Sequence, residues 1–249
     1  MNLIRQDKIK EYVQQNSVAT IKEIQALYPD VSLMTIHRDL NELERQGVIT
    51  KHRGMVKFTR YKDDVDFSVR LEENNLGKLS IVKKAITLLQ PHSSVFLDAG
   101  TSNLLLAKNL PDINLNIVTT SPSIALELCH LYNPTVTLCG GTMNRRNLSV
   151  TGHNTLKMLD EINIDIAFLG VSGYSEGVGF TCGTEADMFI KKTIMSKARV
   201  SVMMCGVEKF DRLMPYTFGT IEDADYIITD GSVPKSFVEL AKKVGTILL

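Results

Sequence analysis

Three strand-to-helix turns in this sequence carry hydroxyls and glycines that are suited to binding an anion. They read Asp98-Ala99-Gly100-Thr101-Ser102, Thr119-Thr120-Ser121 and Cys139-Gly140-Gly141-Thr142. At such turns, free backbone N–H groups and the helix dipole favour a negative charge. Ser and Thr also cap helices in proteins of every function, so each turn alone is better explained by capping. Three such turns on one sheet edge together favour a ligand pocket.

Later turns add candidates for the same pocket. Lys209 follows a predicted strand, and its ammonium either binds a phosphate as a point charge or is a solvated surface group. Arg145 and Arg146 form a basic pair in a long loop, where they either contact the phosphate or are exposed, and we favour exposure. The predicted ligand-binding residues are Asp98, Gly100, Thr101, Ser102, Thr119, Thr120, Ser121, Gly140, Gly141, Gly170, Ser172, Glu185 and Lys209.

A second set of residues has the chemistry to bind DNA. Arg38 can make a bidentate contact to guanine, and Ser32 or Thr35 can bond a base edge or a phosphate. Short β-rich runs flank the turn Arg53-Gly54 and expose basic side chains that can lie on the phosphate backbone. The predicted DNA-binding residues are Ser32, Leu33, Thr35, His37, Arg38, Lys51, Arg53 and Lys57.

Two short helical patterns, separated by about three residues, position these groups. The first opens with a capping box of Thr20 and Glu23 and ends before Pro29. The second is capped by Ser32, ends at Gly47, and has apolar positions at Met34, Ile36, Leu40 and Leu43. With the basic hairpin that follows, this pattern predicts a winged helix-turn-helix, whose second helix enters the major groove of DNA.

Charge is divided unevenly along the chain. Residues 1–60 contain ten Lys or Arg and seven Asp or Glu, a net charge of +3, whereas the remainder carries −3. A basic module on a mildly acidic body fits neutralisation of a DNA backbone. The alternative interpretation is an ordinary small helical domain with a solvated charged face.

Cysteine usage indicates neither a metal site nor a disulfide framework. Cys129, Cys139, Cys182 and Cys205 form no Cys-x-x-Cys pair, so we expect free buried thiols in a reducing cytoplasm, with no metal and no cofactor. The N-terminal residues do not read as a signal peptide, and no apolar run reaches the roughly 18 residues that a membrane helix needs. We therefore expect a cytoplasmic chain without a membrane partner.

The rest of the chain alternates strand and helix patterns. Short runs rich in Val, Ile and Leu fall at 94–97, 115–119, 136–139, 164–169, 200–204, 226–229 and 246–249. Helical stretches between most of them fall at 104–110, 124–131, 154–161, 186–199 and 235–243. This alternation predicts a doubly wound, mostly parallel α/β sheet with ligands at the carboxyl ends of its strands. The predicted organisation is a DNA-binding domain over 1–60, a linker over 61–75 and a sensor domain over 76–249. Within the linker, Phe67-Ser68-Val69-Arg70-Leu71 is expected to begin a helix that bridges the domains.

Many spaced motifs together resemble the DeoR family of bacterial transcriptional regulators over essentially the whole chain. The run from Val31 to Glu44 matches the family's signature recognition helix. The other matching positions are Arg5, Ile9, Asp98-Ala99-Gly100-Thr101-Ser102, Gly140-Gly141, Gly152, Asp165-Ile166-Ala167-Phe168-Leu169-Gly170, Lys209-Phe210 and Ile228-Thr229-Asp230. Two departures are His37-Arg38, where the family usually has two arginines, and Arg53-Gly54-Met55, which shortens a glycine-rich segment.

The resemblance implies a repressor whose sensor domain is similar to ribose-5-phosphate isomerase and binds phosphorylated sugars or sugar-derived intermediates. Ligand binding in the family usually releases DNA and switches on a catabolic or uptake operon. We expect at least a dimer, as a homodimer or homotetramer, because one small DNA-binding head buries too little surface for a specific site.

The competing hypothesis is a sugar-phosphate isomerase with an appended domain. Isomerisation needs a carboxylate base, and the isomerases that this chain resembles have an Asp-Gly-Ala-Asp-Glu run where this sequence reads Leu169-Gly170-Val171-Ser172-Gly173. Asp98 is then expected to order the turn at Gly100 or to bond sugar hydroxyls. We therefore predict no enzyme activity. A DNA-binding scaffold without a ligand would need an occluded pocket, of which the sequence gives no sign.

Overall fold

The computed structural model describes residues 2–16, 18–45, 48–58 and 67–249. The chain divides into two compact units, Met1–Val65 and Asp66–Leu249. Gly47, at which the second helix was expected to end, and residues 59–66, which include part of the predicted linker, lie outside the described residues.

The first unit combines three helices with a small antiparallel sheet. Its elements are α1 (Asn2–Asn16), β1 (Val18–Thr20), α2 (Ile21–Ala26), α3 (Leu33–Arg45), β2 (Ile49–His52) and β3 (Met55–Phe58). The sheet order is β1-β3-β2, and the turn between β2 and β3 holds Gly54 at φ +72°, a left-handed conformation that favours glycine. Ile9, Ile24, Ile36 and Leu40 are fully buried between the helices and the sheet. This is the predicted winged helix-turn-helix.

Local capping sets the limits of α2 and α3. The Thr20 hydroxyl accepts from the Glu23 N–H at 3.1 Å, and the Glu23 carboxylate accepts from the Thr20 N–H at 2.6 Å, so the predicted capping box is present. Ser32 caps α3 by accepting from the Thr35 N–H at 3.2 Å. Each helix therefore begins at a side-chain cap, and residues 27–32 separate α2 from α3.

Met34 was assigned wrongly to the apolar face of α3. Ile36, Leu40 and Leu43 are buried, whereas the side chain of Met34 is 82% exposed. Met34 lies two residues before Ile36, which is about 200° around an α-helix, and so it belongs to the opposite face.

The second unit is built on one large sheet. Its helices are α4 (Phe67–Glu72), α5 (Asn75–Ile86), α6 (Thr101–Lys108), α7 (Pro122–Leu128), α8 (His153–Asp160), α9 (Glu185–Lys197) and α10 (Lys235–Val244). Its strands are β4 (Ser94–Leu97), β5 (Asn116–Thr119), β6 (Thr135–Leu138), β7 (Thr142–Asn144), β8 (Ser149–Thr151), β9 (Ile164–Gly170), β10 (Gly173–Ser175), β11 (Gly179–Cys182), β12 (Ala198–Met204), β13 (Tyr216–Gly219), β14 (Tyr226–Ile228) and β15 (Ile247–Leu248).

Seven strands form a parallel sheet in the order β15-β14-β12-β9-β4-β5-β6. One face is covered by α5, α6 and α7 over a core that includes Phe168, and the other by α8, α9 and α10 over a core that includes Phe96. The doubly wound parallel sheet and its seven strands are therefore confirmed. Parallel strands buried on both faces show as continuous apolar runs, which is why the sequence revealed them.

Two parts of this unit were not predicted, and the helix expected to begin at Phe67 belongs to the core of this unit. A small antiparallel sheet has the order β10-β11-β13, and β7 and β8 form a hairpin. Residues 67–72, which fall within the predicted linker, form α4, and Phe67 is buried in the core against α5 and α6. In the described part of the chain, no helix combines the length and the apolar character needed to cross a membrane.

The four cysteines are free. Cys139, Cys182 and Cys205 are buried, as expected, but Cys129 is exposed. Burial raises the pKa of the Cys139 thiol to about 11 and that of the Cys182 thiol to about 12, so both stay protonated at neutral pH. A protonated thiol is a poor nucleophile, and these two cysteines are consistent with packing roles.

Candidate DNA-binding surface and ligand site

The exposed face of α3 carries the predicted DNA-reading residues. Arg38 is exposed on the side of the helix opposite to the buried Ile36 and Leu40, and His37 is half-buried beside that buried face. The hydroxyls of Ser32 and Thr35 are 2.9 Å apart and hydrogen-bonded to each other at the start of the helix. The N-terminal turns of α3 therefore present a cation to solvent beside a hydroxyl pair.

A buried ion pair, which the sequence analysis did not identify as a site, fixes α3 against α1. Asp39 is fully buried, and its carboxylate accepts from the Arg5 guanidinium at 2.5 Å and from the Gln6 amide at 3.1 Å. Since Arg38 and Asp39 are adjacent, the pair that anchors one side of α3 also sets the direction of the exposed side. The sequence signal that could have revealed this pair was Asp39, an acidic residue on a helical face that is otherwise apolar.

The hairpin of β2 and β3 divides its basic residues between two environments. Arg53 and Lys57 are exposed, as a wing that lies on phosphates would require. The Lys51 ammonium instead bonds the Asn41 side chain and lies 3.7 Å from the Glu44 carboxylate, so it also braces the hairpin against α3.

The carboxyl ends of β4, β5 and β6 bring the predicted ligand turns to one edge of the parallel sheet. Helix α6 begins directly after β4, and β8 reaches the same edge, where the Val150 N–H donates to the Thr120 carbonyl at 2.7 Å. Helix α8 follows after Gly152, whose φ of +114° favours glycine. A side chain built at Gly100 or Gly152 would meet no described atom within 4 Å, so the starts of α6 and α8 face open space.

The hydroxyls after β5 have different roles. Thr119 donates to the Leu97 carbonyl at 2.7 Å and accepts from the Ser121 N–H at 3.1 Å, while Ser121 caps α7. The Thr120 hydroxyl is buried and has no hydrogen-bond partner among the residues that the structure describes. Because buried polar atoms are normally paired, Thr120 is the hydroxyl of this turn that remains available to a ligand.

Asp98 forms a buried ion pair with Lys191 of α9, which is not one of the predicted ligand-binding residues. Only 4% of Asp98 and 5% of Lys191 is exposed. The Asp98 carboxylate bonds the Lys191 ammonium and accepts from the Gly170 N–H at 3.0 Å, and Lys191 donates to the Gly170 carbonyl at 2.8 Å. Burial, the largest single influence, lowers the pKa of Lys191, but the charge and hydrogen bond of Asp98 together with the nearby Cys182 and Asp187 outweigh it, and the net pKa is raised. Asp98 therefore ties β4, β9 and α9 together.

Lys209 shares its surroundings with a second lysine that sequence reasoning missed. Its ammonium lies 3.3 Å from the Glu208 carboxylate. Lys78, which is buried, has its pKa lowered first by burial and then by the charge of Lys209. Lys78 bonds the carbonyls of Arg70 and Glu73 at the end of α4, and it lines a cleft of about 330 Å³ together with Thr101. A buried lysine close to a second cation is a reasonable anion ligand.

The other predicted ligand residues have local roles or lie at the surface. Gly140 accepts from the Thr155 hydroxyl at 2.7 Å, and a side chain at Gly141 would meet the Thr151 carbonyl at 2.5 Å, so this turn packs closely on β8 and α8. The Ser172 N–H bonds the Thr181 carbonyl at 3.2 Å. Ser102 lies half-buried in the first turn of α6, whereas Glu185, Arg145 and Arg146 are exposed.

The carboxyl end of β9 has no carboxylate side chain at the position where the catalytic base of an isomerase would be expected. Gly170, Val171, Ser172 and Gly173 follow one another there. The nearby Asp98 is engaged with Lys191 and Gly170. Across the described ranges, no group of three His, Cys, Asp or Glu side chains is placed to hold a metal ion.

Comparisons with known proteins agree with this division of the chain. Residues 5–61 match the model of the DeoR-like helix-turn-helix domain, and residues 73–231 match that of the DeoR C terminal sensor domain. Among solved structures, ribose 5-phosphate isomerase A from Methanocaldococcus jannaschii is similar over 53% of each chain, with 18% identity and a TM-score of 0.39, a likeness too weak to indicate an activity.

Two full-length relatives carry regulator names. The HTH-type transcriptional regulator GlpR of Haloferax volcanii is 32% identical over 216 residues, 86% of this chain and 84% of that protein. The HTH-type transcriptional repressor GlcR of Bacillus subtilis is 27% identical over 242 residues, 97% of this chain and 93% of that protein. With both family models matched in order, this chain belongs to the DeoR family and is a DNA-binding transcriptional regulator.

Proposed function

We propose that this regulator represses a sugar catabolism or uptake operon and is released from its operator by a phosphorylated sugar or sugar-derived metabolite. The observation that carries the proposal is the cleft at the start of α6, which Thr101 and Lys78 line and where the charge of Lys209 acts on Lys78. The unpartnered Thr120 hydroxyl follows β5, the strand next to β4. One relative is named a repressor, which supports repression rather than activation. The chain acts in the cytoplasm, with a DNA-binding domain over 1–60 and a sensor that begins with α4, earlier than the predicted residue 76.

In this proposal α3 lies in the major groove. Arg38 contacts a base, His37 and Thr35 lie beside it, and Arg53 and Lys57 of the hairpin bind phosphates. Exposed cations on one face are what neutralisation of a DNA backbone needs. The rigid anchoring of α3 by Asp39 supports this role, because base readout depends on a fixed helix orientation.

The phosphate of the effector binds at the first turn of α6. Free N–H groups of that turn, the Thr101 hydroxyl, and the ammonium groups of Lys78 and Lys209 provide the donors. The Thr120 hydroxyl donates a hydrogen bond to a sugar hydroxyl or accepts one from it. Asp98, Gly170 and Lys191 hold the strand ends that frame this site, and they are positioning residues rather than ligands.

The working form is a homodimer or homotetramer, and the β6 edge of the large sheet is the surface that best supports self-association. Among residues 113–144 only Glu127 is charged, although charged residues make up 22% of the chain. Leu126, on α7 next to this edge, is 74% exposed. Proteins usually protect a free edge strand with charges, and β6 carries none.

Light scattering tests this surface. The Leu126→Lys/Leu138→Lys variant should be monomeric, whereas an unchanged oligomer would assign the interface elsewhere.

Thermal unfolding against a panel of sugar phosphates tests the effector proposal. Free sugars and inorganic phosphate serve as controls, and Thr120→Val serves as the site variant. A ligand at 100 times its dissociation constant stabilises the folded state by about 2.7 kcal/mol, which shifts the midpoint measurably. We expect a shift with one phosphosugar that its free sugar does not give. Equal shifts with inorganic phosphate and every phosphosugar would contradict a sugar-specific site.

The same panel separates a regulator from an isomerase. An enzyme would convert its aldose phosphate to the ketose phosphate, and NMR of the incubated mixture would show the product. We expect the ligand that shifts the unfolding midpoint to remain unconverted.

A further inference from the structure

The first turn of α3 exposes two large apolar side chains to solvent. Leu33 is 50% exposed and Met34 is 82% exposed, whereas Ile36, Leu40 and Leu43 of the same helix are buried. A single exposed apolar residue is ordinary on a protein surface. Two in succession, at the end of the helix that enters the groove in helix-turn-helix proteins, indicate a contact made in the complex.

Met34 lies on the same stripe as the polar residues of α3. Positions 34, 37, 38 and 41 are spaced i, i+3, i+4 and i+7, so Met34, His37, Arg38 and Asn41 share one face of the helix. The Asn41 side chain accepts from Lys51, which fixes the far end of the stripe to the hairpin. An apolar group therefore occupies the N-terminal end of this face, with the Arg38 cation one turn further along.

The chemistry of the major groove limits what such a group can recognise. Base edges there present hydrogen-bond donors, hydrogen-bond acceptors and a single apolar group, the 5-methyl of thymine. Near Met34 the hydroxyls of Ser32 and Thr35 bond each other. We infer that Met34, with Leu33 beside it, contacts a thymine methyl in each operator half-site and so selects thymine at that position. This inference rests on the proposed placement of α3 in the groove.

The expected size of the effect follows from the burial of one methyl group. Removing a methyl from such a contact costs about 0.8 kcal/mol, which is roughly fourfold in affinity for one half-site. The unbound protein should not respond to the substitution, because a side chain that is 82% exposed contributes little to stability.

Thymine-to-deoxyuridine scanning of the operator tests the inference. The operator is first selected from a random duplex library with the full-length protein. Each thymine is then replaced by deoxyuridine, which removes only the 5-methyl group, and affinity is measured by fluorescence anisotropy at fixed salt. The proteins compared are the wild type, Met34→Ala, and Leu27→Ala, an exposed leucine of the same unit outside α3.

We expect one thymine position at which deoxyuridine weakens binding about fourfold for the wild type and for Leu27→Ala, but not for Met34→Ala. Thymine sensitivity that Met34→Ala retains in full, or a wild type insensitive at every position, overturns the inference. Arg38→Ala distinguishes this failure from failure of the proposed function. Loss of affinity with Arg38→Ala places α3 on the DNA whatever the scan shows, whereas unchanged affinity removes α3 from the groove and overturns both proposals.

Discussion

Replacement of Lys191 by methionine should strongly destabilise the C-terminal unit. The substitution leaves the Asp98 carboxylate, only 4% exposed, with the Gly170 N–H at 3.0 Å but without its cation, and it deprives the Gly170 carbonyl of a donor at 2.8 Å. Removing one partner of a buried ion pair costs about 3–5 kcal/mol. With a urea m-value of about 2 kcal/mol per molar, the unfolding midpoint should fall by roughly 2 M.

Urea unfolding followed by circular dichroism, fitted with one transition for each unit, measures this loss. Lys192→Met is the matched control, because Lys192 is the next residue of α9 and is exposed, so its substitution should change stability by less than about 0.5 kcal/mol. The double variant Asp98→Asn/Lys191→Met should be more stable than the sum of the single losses predicts, by about 1–3 kcal/mol. If Lys191→Met is as mild as Lys192→Met, or if the two single effects add, the ion pair does not hold the strand ends together.

Three further results are expected. Thr120→Val should leave the unfolding midpoint nearly unchanged yet weaken the phosphosugar response. Thr119→Val breaks hydrogen bonds to the Leu97 carbonyl and the Ser121 N–H and should lower the free energy of unfolding by about 1–3 kcal/mol. Equal destabilisation by the two variants would contradict the assigned roles. Arg38→Ala should weaken operator binding in a gel shift by about 1–3 kcal/mol and relax base preference, and unchanged binding would remove Arg38 from the interface. The pKa of Lys191 is raised above its ordinary 10.5, so the ion pair stabilises the folded state fully below pH 10.5 and loses this effect as the pH rises through the raised pKa. The unfolding free energies of the wild type and Lys191→Met should therefore converge only above pH 10.5. Convergence near neutral pH would contradict the pairing.

The parallel sheet was predictable because its strands are buried on both faces and so form continuous apolar runs. The strands of the small antiparallel sheet, such as Gly173–Ser175, were not, because they are three or four residues long and rich in glycine and hydroxyl side chains. The helix at Phe67 was expected, but it was assigned to the linker because its residues are mixed in polarity and Phe67 is buried only through contacts distant in sequence.

The candidate site was predictable to the level of turns but not of partners. Hydroxyls and glycines after strands indicated turns that the structure brings to one sheet edge, since parallel strands end together. The sequence could not distinguish Thr119, whose hydroxyl is bonded within the fold, from Thr120, whose hydroxyl has no partner among the described residues. It could not pair Asp98 with Lys191 either, because 93 residues separate them. Such distinctions depend on distances that only the folded chain defines.

Operator binding measured with and without the phosphosugar identified by thermal unfolding decides whether the sensor domain controls the affinity for DNA. Fluorescence anisotropy on the selected operator duplex, at fixed salt, gives the affinity for each ligand state. We expect the phosphosugar to weaken operator binding between about 5- and 150-fold, the range that typical coupling energies give, and its free sugar to leave the affinity unchanged. A phosphosugar that binds the protein at saturation without changing operator affinity would contradict ligand-induced release.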